Sequence, residues 1–139
     1  MEALLSHLEV IKSSEGIDVQ ILGAEPNAKI PGLEGPRANC TKEGILDSDV
    51  IMVPLEDGDR CEALVSMGKT VIVIDLNPLS RSAKMGNITI VDELTRVVQN
   101  MLDLLSQPMQ GNGGPFYDNE AGLTDALRHI SKKFSAPDA

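Results

Sequence analysis

Asp-Val-Ile-Met-Val-Pro (49–54), Asp-Arg-Cys-Glu-Ala-Leu-Val-Ser-Met-Gly (59–68) and Thr-Val-Ile-Val-Ile-Asp (70–75) follow one another closely, and their reading decides the fold. The first and third are short apolar runs rich in β-branched residues, with the length and composition of strands. Between them, Asp59-Arg60-Cys61-Glu62 fits a capping box with Asp59 as the cap, opening a helix through Met67 that Gly68 ends. Strands apolar on both faces, alternating with helices, indicate a parallel sheet covered on both sides.

The same pattern continues outward. Leu76–Arg81 reads as a loop, Ser82–Met85 as a helical turn and Asn87–Val91 as a third strand. Asp92 is expected to cap an amphipathic helix through about Leu105, with Leu94, Val97, Val98, Met101, Leu102 and Leu105 on one side. Upstream, Met1, Leu4, Leu5, Leu8 and Ile11 recur at helical spacing, and that helix should end near Gly16. Ile17–Leu22 reads as a strand, Gly23–Asn39 as a long Gly- and Pro-rich loop and Thr41–Asp47 as a short helix. The expected architecture is a Rossmann-like three-layer α/β/α sandwich with a parallel sheet of about four strands. It should occupy residues 1–107, followed by a linker at 108–119 around Gln-Pro-Met-Gln-Gly-Asn-Gly-Gly, and a C-terminal helix with a frayed tail at 120–139.

Composition narrows the function. The chain has 139 residues, 12 Lys+Arg against 21 Asp+Glu, a formal net charge of −9 and 2% aromatics. That balance opposes nucleic-acid binding, which needs clustered cations and stacking rings. No apolar run is long enough to span a bilayer, and no basic segment precedes an apolar one at the N-terminus, so a cytoplasmic protein is expected. Cys40 and Cys61 stand apart, without a C-x-x-C pair, and read as reduced thiols. His7 and His129 lie alone on helices, without ligand spacing. No P-loop is present, and Gly111-Asn112-Gly113-Gly114 follows a helix rather than a strand, which excludes a dinucleotide fingerprint.

In an open parallel sheet, ligands bind beyond the carboxyl ends of the strands. Those ends are polar here: Glu56, Asp57, Asp59 and Arg60 after the first, Asp75, Asn77, Ser80, Arg81 and Ser82 after the second, Asp92 and Glu93 after the third. Asp75 suits a ribose diol and Arg81 a phosphate, with backbone N–H groups at the start of the Ser82 turn. Glu56, Asp57 and Asp59 suit Mg²⁺ shared with phosphates, or an ammonium group. A capping role would account completely for Asp59 and Glu62, and equally for Asp92. Asp75 is harder to dismiss, because a charge directly after buried apolar residues needs a partner.

Several longer motifs then coincide. Val-Pro-Leu-Glu-Asp-Gly-Asp-Arg (53–60), Glu-Ala-Leu-Val (62–65), Met-Gly-Lys (67–69), Ile-Asp-Leu-Asn-Pro-Leu-Ser-Arg (74–81) and Ile-Thr-Ile-Val-Asp (88–92) closely resemble the archaeal phosphopantothenate synthetase family, also called 4-phosphopantoate–β-alanine ligase. Ile-Pro-Gly-Leu (30–33) and Asp118-Asn119 with the following helix resemble it more weakly. The resemblance implies an ATP-dependent ligase of coenzyme A biosynthesis. It would join 4-phosphopantoate to β-alanine through an acyl-adenylate, releasing pyrophosphate and then AMP, with Mg²⁺ accompanying ATP. It implies ATP contacts at Asp75, Leu76 and Asn77, at Arg81 and Ser82, and at Glu93 and Leu94, where the family often has Asn in place of Glu93. It also implies a homodimer. Family members carry a further N-terminal half that supplies arginines to the nucleotide site, so this short chain is expected to hold a half-site whose activity alone is in doubt. The other reading from the sequence is a non-catalytic Rossmann-like module that binds a nucleotide or a protein partner.

Overall fold

The computed structural model describes residues 2–54, 57–108 and 117–135. The chain forms two compact units, Met1–Ser48 and Asp49–Ala139.

In the first unit, helix α1 spans Glu2–Glu15, and Gly16 leaves it at φ 65°. Residues 17–22 are not a strand. They run as irregular backbone with Ile17 and Val19 about half exposed. Alternation alone does not make a strand; a neighbouring edge must supply hydrogen bonds. The segment read as one long loop instead contains a small antiparallel ladder. Strand β1 (Ala28–Lys29) pairs with β2 (Asn39–Cys40) in the register Ala28↔Cys40. Pro36–Ala38 forms a 3₁₀ turn between them. Ile30, Ala38 and Cys40 are buried at its centre. The expected short helix is a single wide turn, Lys42–Leu46, closed by Asp47 N donating to Lys42 O at 3.0 Å. Asn27 fastens it: its Oδ1 accepts from Lys42 N at 2.7 Å and its Nδ2 donates to Glu43 at 3.2 Å.

The second unit is the α/β domain. Its elements are β3 (Val50–Pro54), α2 (Gly58–Ser66), β4 (Thr70–Ile74), α3 (Arg81–Met85), β5 (Ile88–Ile90), α4 (Leu94–Leu105) and α5 (Asn119–Ser135). The sheet order is β3-β4-β5 and both pairings are parallel. Among the described residues the parallel sheet has three strands, not about four, because 17–22 does not join it. The fold is Rossmann-like α/β, with helices flanking the sheet. The linker expected at 108–119 lies mostly outside the described residues, as does the tail beyond Ser135.

Period-two alternation sends Ile51, Val53, Val71, Val73 and Thr89 to one face, where all are buried. Fully burying side chains such as Val71 and Val73 contributes about 2 kcal/mol each. On the other face Val50 is 56% and Met52 40% exposed. Apolar residues on both faces of β3 therefore do not mean that both are covered. Helix α4 is similar: Val97 is buried, while Val98, Leu102 and Leu105 of its apolar stripe stay exposed. Helix α2 ends in a Schellman motif. Lys69 N donates to Leu64 O and Gly68 N to Val65 O, with Gly68 at φ 79°. Cys40 and Cys61 are both buried, and no disulfide joins them. No helix among the described residues is long and apolar enough to cross a membrane.

Candidate functional site

Parallel register aligns Pro54 with Ile74 and Ile74 with Ile90. All three strands therefore end on one edge, and the polar segments after them leave from that edge.

After β3, the helix cap is Asp57, not Asp59. Asp57 keeps extended backbone and its side chain accepts from Asp59 N at 2.9 Å. The helix can start earlier than the capping-box reading because Gly58 is already helical and buried. Asp59 and Arg60 lie in the first turn, half-buried, and Asp57 is exposed. Glu56 is outside the described residues.

After β4, the loop to α3 is built from its own side chains. Asp75 Oδ1 accepts from Asn77 N at 2.9 Å, and Oδ2 accepts from Ser80 Oγ at 2.5 Å. Asn77 Oδ1 in turn accepts from Leu79 N at 3.0 Å, and Ser80 Oγ caps α3 by accepting from Ala83 N at 3.0 Å. The partner that Asp75 requires is thus the loop itself: its carboxylate satisfies donors that the turn would otherwise leave unpaired. Leu76 and Leu79 project outward, 65% and 56% exposed. Ser82 is buried.

Arg81 reaches back across to α2. Its guanidinium pairs with Asp59 and donates to Glu62 Oε2 at 2.6 Å. The Glu62 hydrogen bond, then the Asp59 charge, hold the guanidinium above its ordinary pKa. Asp59, Glu62 and Arg81 are therefore one charged group bridging two helices. Glu62 had only a capping role in the sequence reading; the signal for more was its position three residues after Asp59, on the same helix face.

After β5, the cap of α4 is Glu93, not Asp92. Glu93 accepts from Thr95 N, Thr95 Oγ1 and Arg96 N at 2.9–3.1 Å. A glutamate is long enough to reach both amides from extended backbone. Asp92 instead accepts from Glu93 N at 2.8 Å and from Arg96 Nε at 2.7 Å. Both carboxyls are held below their usual range, Asp92 chiefly by Arg96 and Glu93 chiefly by the Thr95 amide. Leu94 opens α4, about one-third exposed.

A groove of about 500 Å³ is bordered by Pro78 and Leu79 of the Asp75–Ser80 loop, by Lys84 of α3 and its cap Gly86, and by Leu123 and Leu127 of α5. Among the described residues, no three His, Cys, Asp or Glu side chains converge on a metal position.

A parallel sheet with acidic, amide and guanidinium groups on the segments that follow its carboxyl ends defines a Rossmann-like α/β domain. The family model for phosphopantothenate/pantothenate synthetase matches residues 4–133, and the chain belongs to that family. It is 47% identical over 124 residues to the 4-phosphopantoate–beta-alanine ligase of Thermococcus onnurineus, covering 85% of this chain and 48% of that protein. It is 45% identical to the Thermococcus kodakarensis protein of the same name, with the same coverage. The Methanosarcina mazei protein of that name is 43% identical over 131 residues, covering 90% of this chain and 51% of the relative. The chain spans about half the length of the curated relatives it matches.

Proposed function

We propose that this chain carries the ATP-contacting part of a 4-phosphopantoate–β-alanine ligase acting in coenzyme A biosynthesis. The carrying observation is its 43–47% identity, over most of its length, to relatives of that name. The pantoate carboxylate attacks the α-phosphorus of ATP, forming an acyl-adenylate and expelling pyrophosphate. The β-alanine amine then attacks the acyl carbon, forms the amide of 4'-phosphopantothenate, loses a proton and expels AMP.

In this reading ATP lies along the carboxyl edge. The Asp75–Asn77 loop presents exposed Leu76 to the nucleoside. Asp75 and Asn77 keep that loop in shape through the bonds they already make. Arg81 turns its forked donors to the phosphates, with Ser82 behind it. Glu93 and Leu94 close the far side. Mg²⁺ bound with nucleotide phosphates needs only one or two protein carboxylates, and exposed Asp57 beside Asp59 fits that requirement. The exposed apolar stripe of α4 supports a homodimer. A cytoplasmic location accords with phosphorylated, nucleotide-dependent substrates.

The test is a chimera in which this chain replaces the matching half of the Thermococcus onnurineus ligase. With Mg-ATP, 4-phosphopantoate and β-alanine, mass spectrometry should find phosphopantothenate and AMP in equal amounts. A folded chimera that forms no product, or that releases ADP instead of AMP, would overturn the reading.

A further inference from the structure

Helix α3 has five residues, far below the length at which a helix sustains itself in water. Its direction depends on what holds its two ends. At the N-terminal end, Ser80 and Asp75 do so. At the C-terminal end the carbonyls lack intrahelical donors, as at every helix end. Those carbonyls are met by Asn119, the first residue of α5. Its Nδ2 donates to Ala83 O at 2.9 Å and to Gly86 O at 3.0 Å. Thr89 Oγ1 adds a third bond, to Ala83 O, at 2.8 Å.

The amide orientation follows from chemistry: flipped, its oxygen would face two carbonyl oxygens. Asn119 thus spends both amide hydrogens on α3. Its buried Oδ1 finds no partner among the described residues.

We propose that Asn119 is a positioning residue for the nucleotide site. By fixing the C-terminal end of α3, it sets the direction of Arg81 at the other end toward the phosphates. The inference rests on the ATP reading above. It makes the C-terminal helix part of the site.

The experiment compares the whole chain with Asn119→Ala, Asn119→Asp and the control Ile130→Ala, which thins α5 packing away from the groove and without touching the α3 carbonyls. Mg-ATP affinity is read by calorimetry and melting temperature by circular dichroism. Both Asn119 variants should bind on the order of tenfold more weakly near neutral pH, while the control loses melting temperature but keeps its affinity. Asn119→Asp also carries a signature that a structural role would not. Its carboxylate faces two carbonyl oxygens, which raises its pKa above the ordinary ~3.9. As pH falls and it protonates, it donates again, and affinity recovers toward wild type while Asn119→Ala does not follow. Wild-type affinity in both Asn119 variants, with only a lowered melting temperature, overturns the inference and leaves the ATP reading intact. Absence of binding by the wild-type chain overturns the ATP reading and the inference with it.

Discussion

Gly58 and Arg81 share a space that admits no second Cβ: one placed on Gly58 would lie 2.6 Å from Arg81 Cγ and 2.8 Å from Arg81 Cβ. The stem of Arg81 lies against bare backbone at the first turn of α2, and this contact lets the guanidinium reach Asp59 and Glu62. In an open helix, Gly→Ala stabilises by about 1 kcal/mol. Here the added methyl must displace the near end of a side chain, and overpacking of this kind costs about 1–3 kcal/mol. Gly58→Ala should therefore destabilise the chain, as read by urea unfolding. A gain in stability would contradict the contact.

Ser80 links the Asp75 carboxylate to the start of α3. Ser80→Ala removes a helix cap and leaves Asp75 Oδ2 without that donor. The expected loss is about 1–2 kcal/mol in chemical denaturation. Asp75→Asn should cost less than Asp75→Ala, because the amide oxygen still accepts from Asn77 N. Equal losses for the two Asp75 variants would count against the loop's reliance on that bond.

Acid should loosen the start of α4. Asp92 and Glu93 have depressed pKa values in the folded chain, so each binds its proton more readily when unfolded. Their contribution is complete above the ordinary carboxylate pKa near ~4 and disappears as pH falls through the lower folded values. Both groups are solvent-exposed, so the effect is modest and fades in high salt. Denaturant midpoints measured between about pH 6 and pH 3 should fall less steeply for Glu93→Gln than for wild type, since glutamine does not titrate. Parallel curves would remove Glu93 from the acid response.

The order of elements from Val50 to Leu105 was legible because apolar strands, caps and glycines agree locally. Gly68 marks a helix end in the sequence and sits at positive φ in the structure. Legibility failed where tertiary partners decide. Ile17–Leu22 alternates like a strand but pairs with no strand among the described residues. The caps shifted in opposite directions, to Asp57 and to Glu93, because each acidic cluster offers two candidates and only backbone geometry separates them. The apolar stripe of α4 promised a buried face, yet Leu102 and Leu105 are exposed. Among site residues, the sequence places Asp75, Asn77, Arg81 and Ser82 after one strand. The pairing of Arg81 with Glu62 and the hold of Asn119 on α3 are contacts across elements, which neither spacing nor composition encodes.

In the proposed reading, Arg81 serves a nucleotide rather than the fold. The side chains of Arg81 and its partner Glu62 are largely exposed, so Arg81→Ala should change thermal stability little. The direct measurement is isothermal titration of the whole chain with Mg-ATP, for wild type and Arg81→Ala. Saturable binding by wild type, weakened on the order of tenfold or more in Arg81→Ala at nearly unchanged melting temperature, is the predicted result. No binding by wild type, or equal affinity in the two proteins, would contradict it.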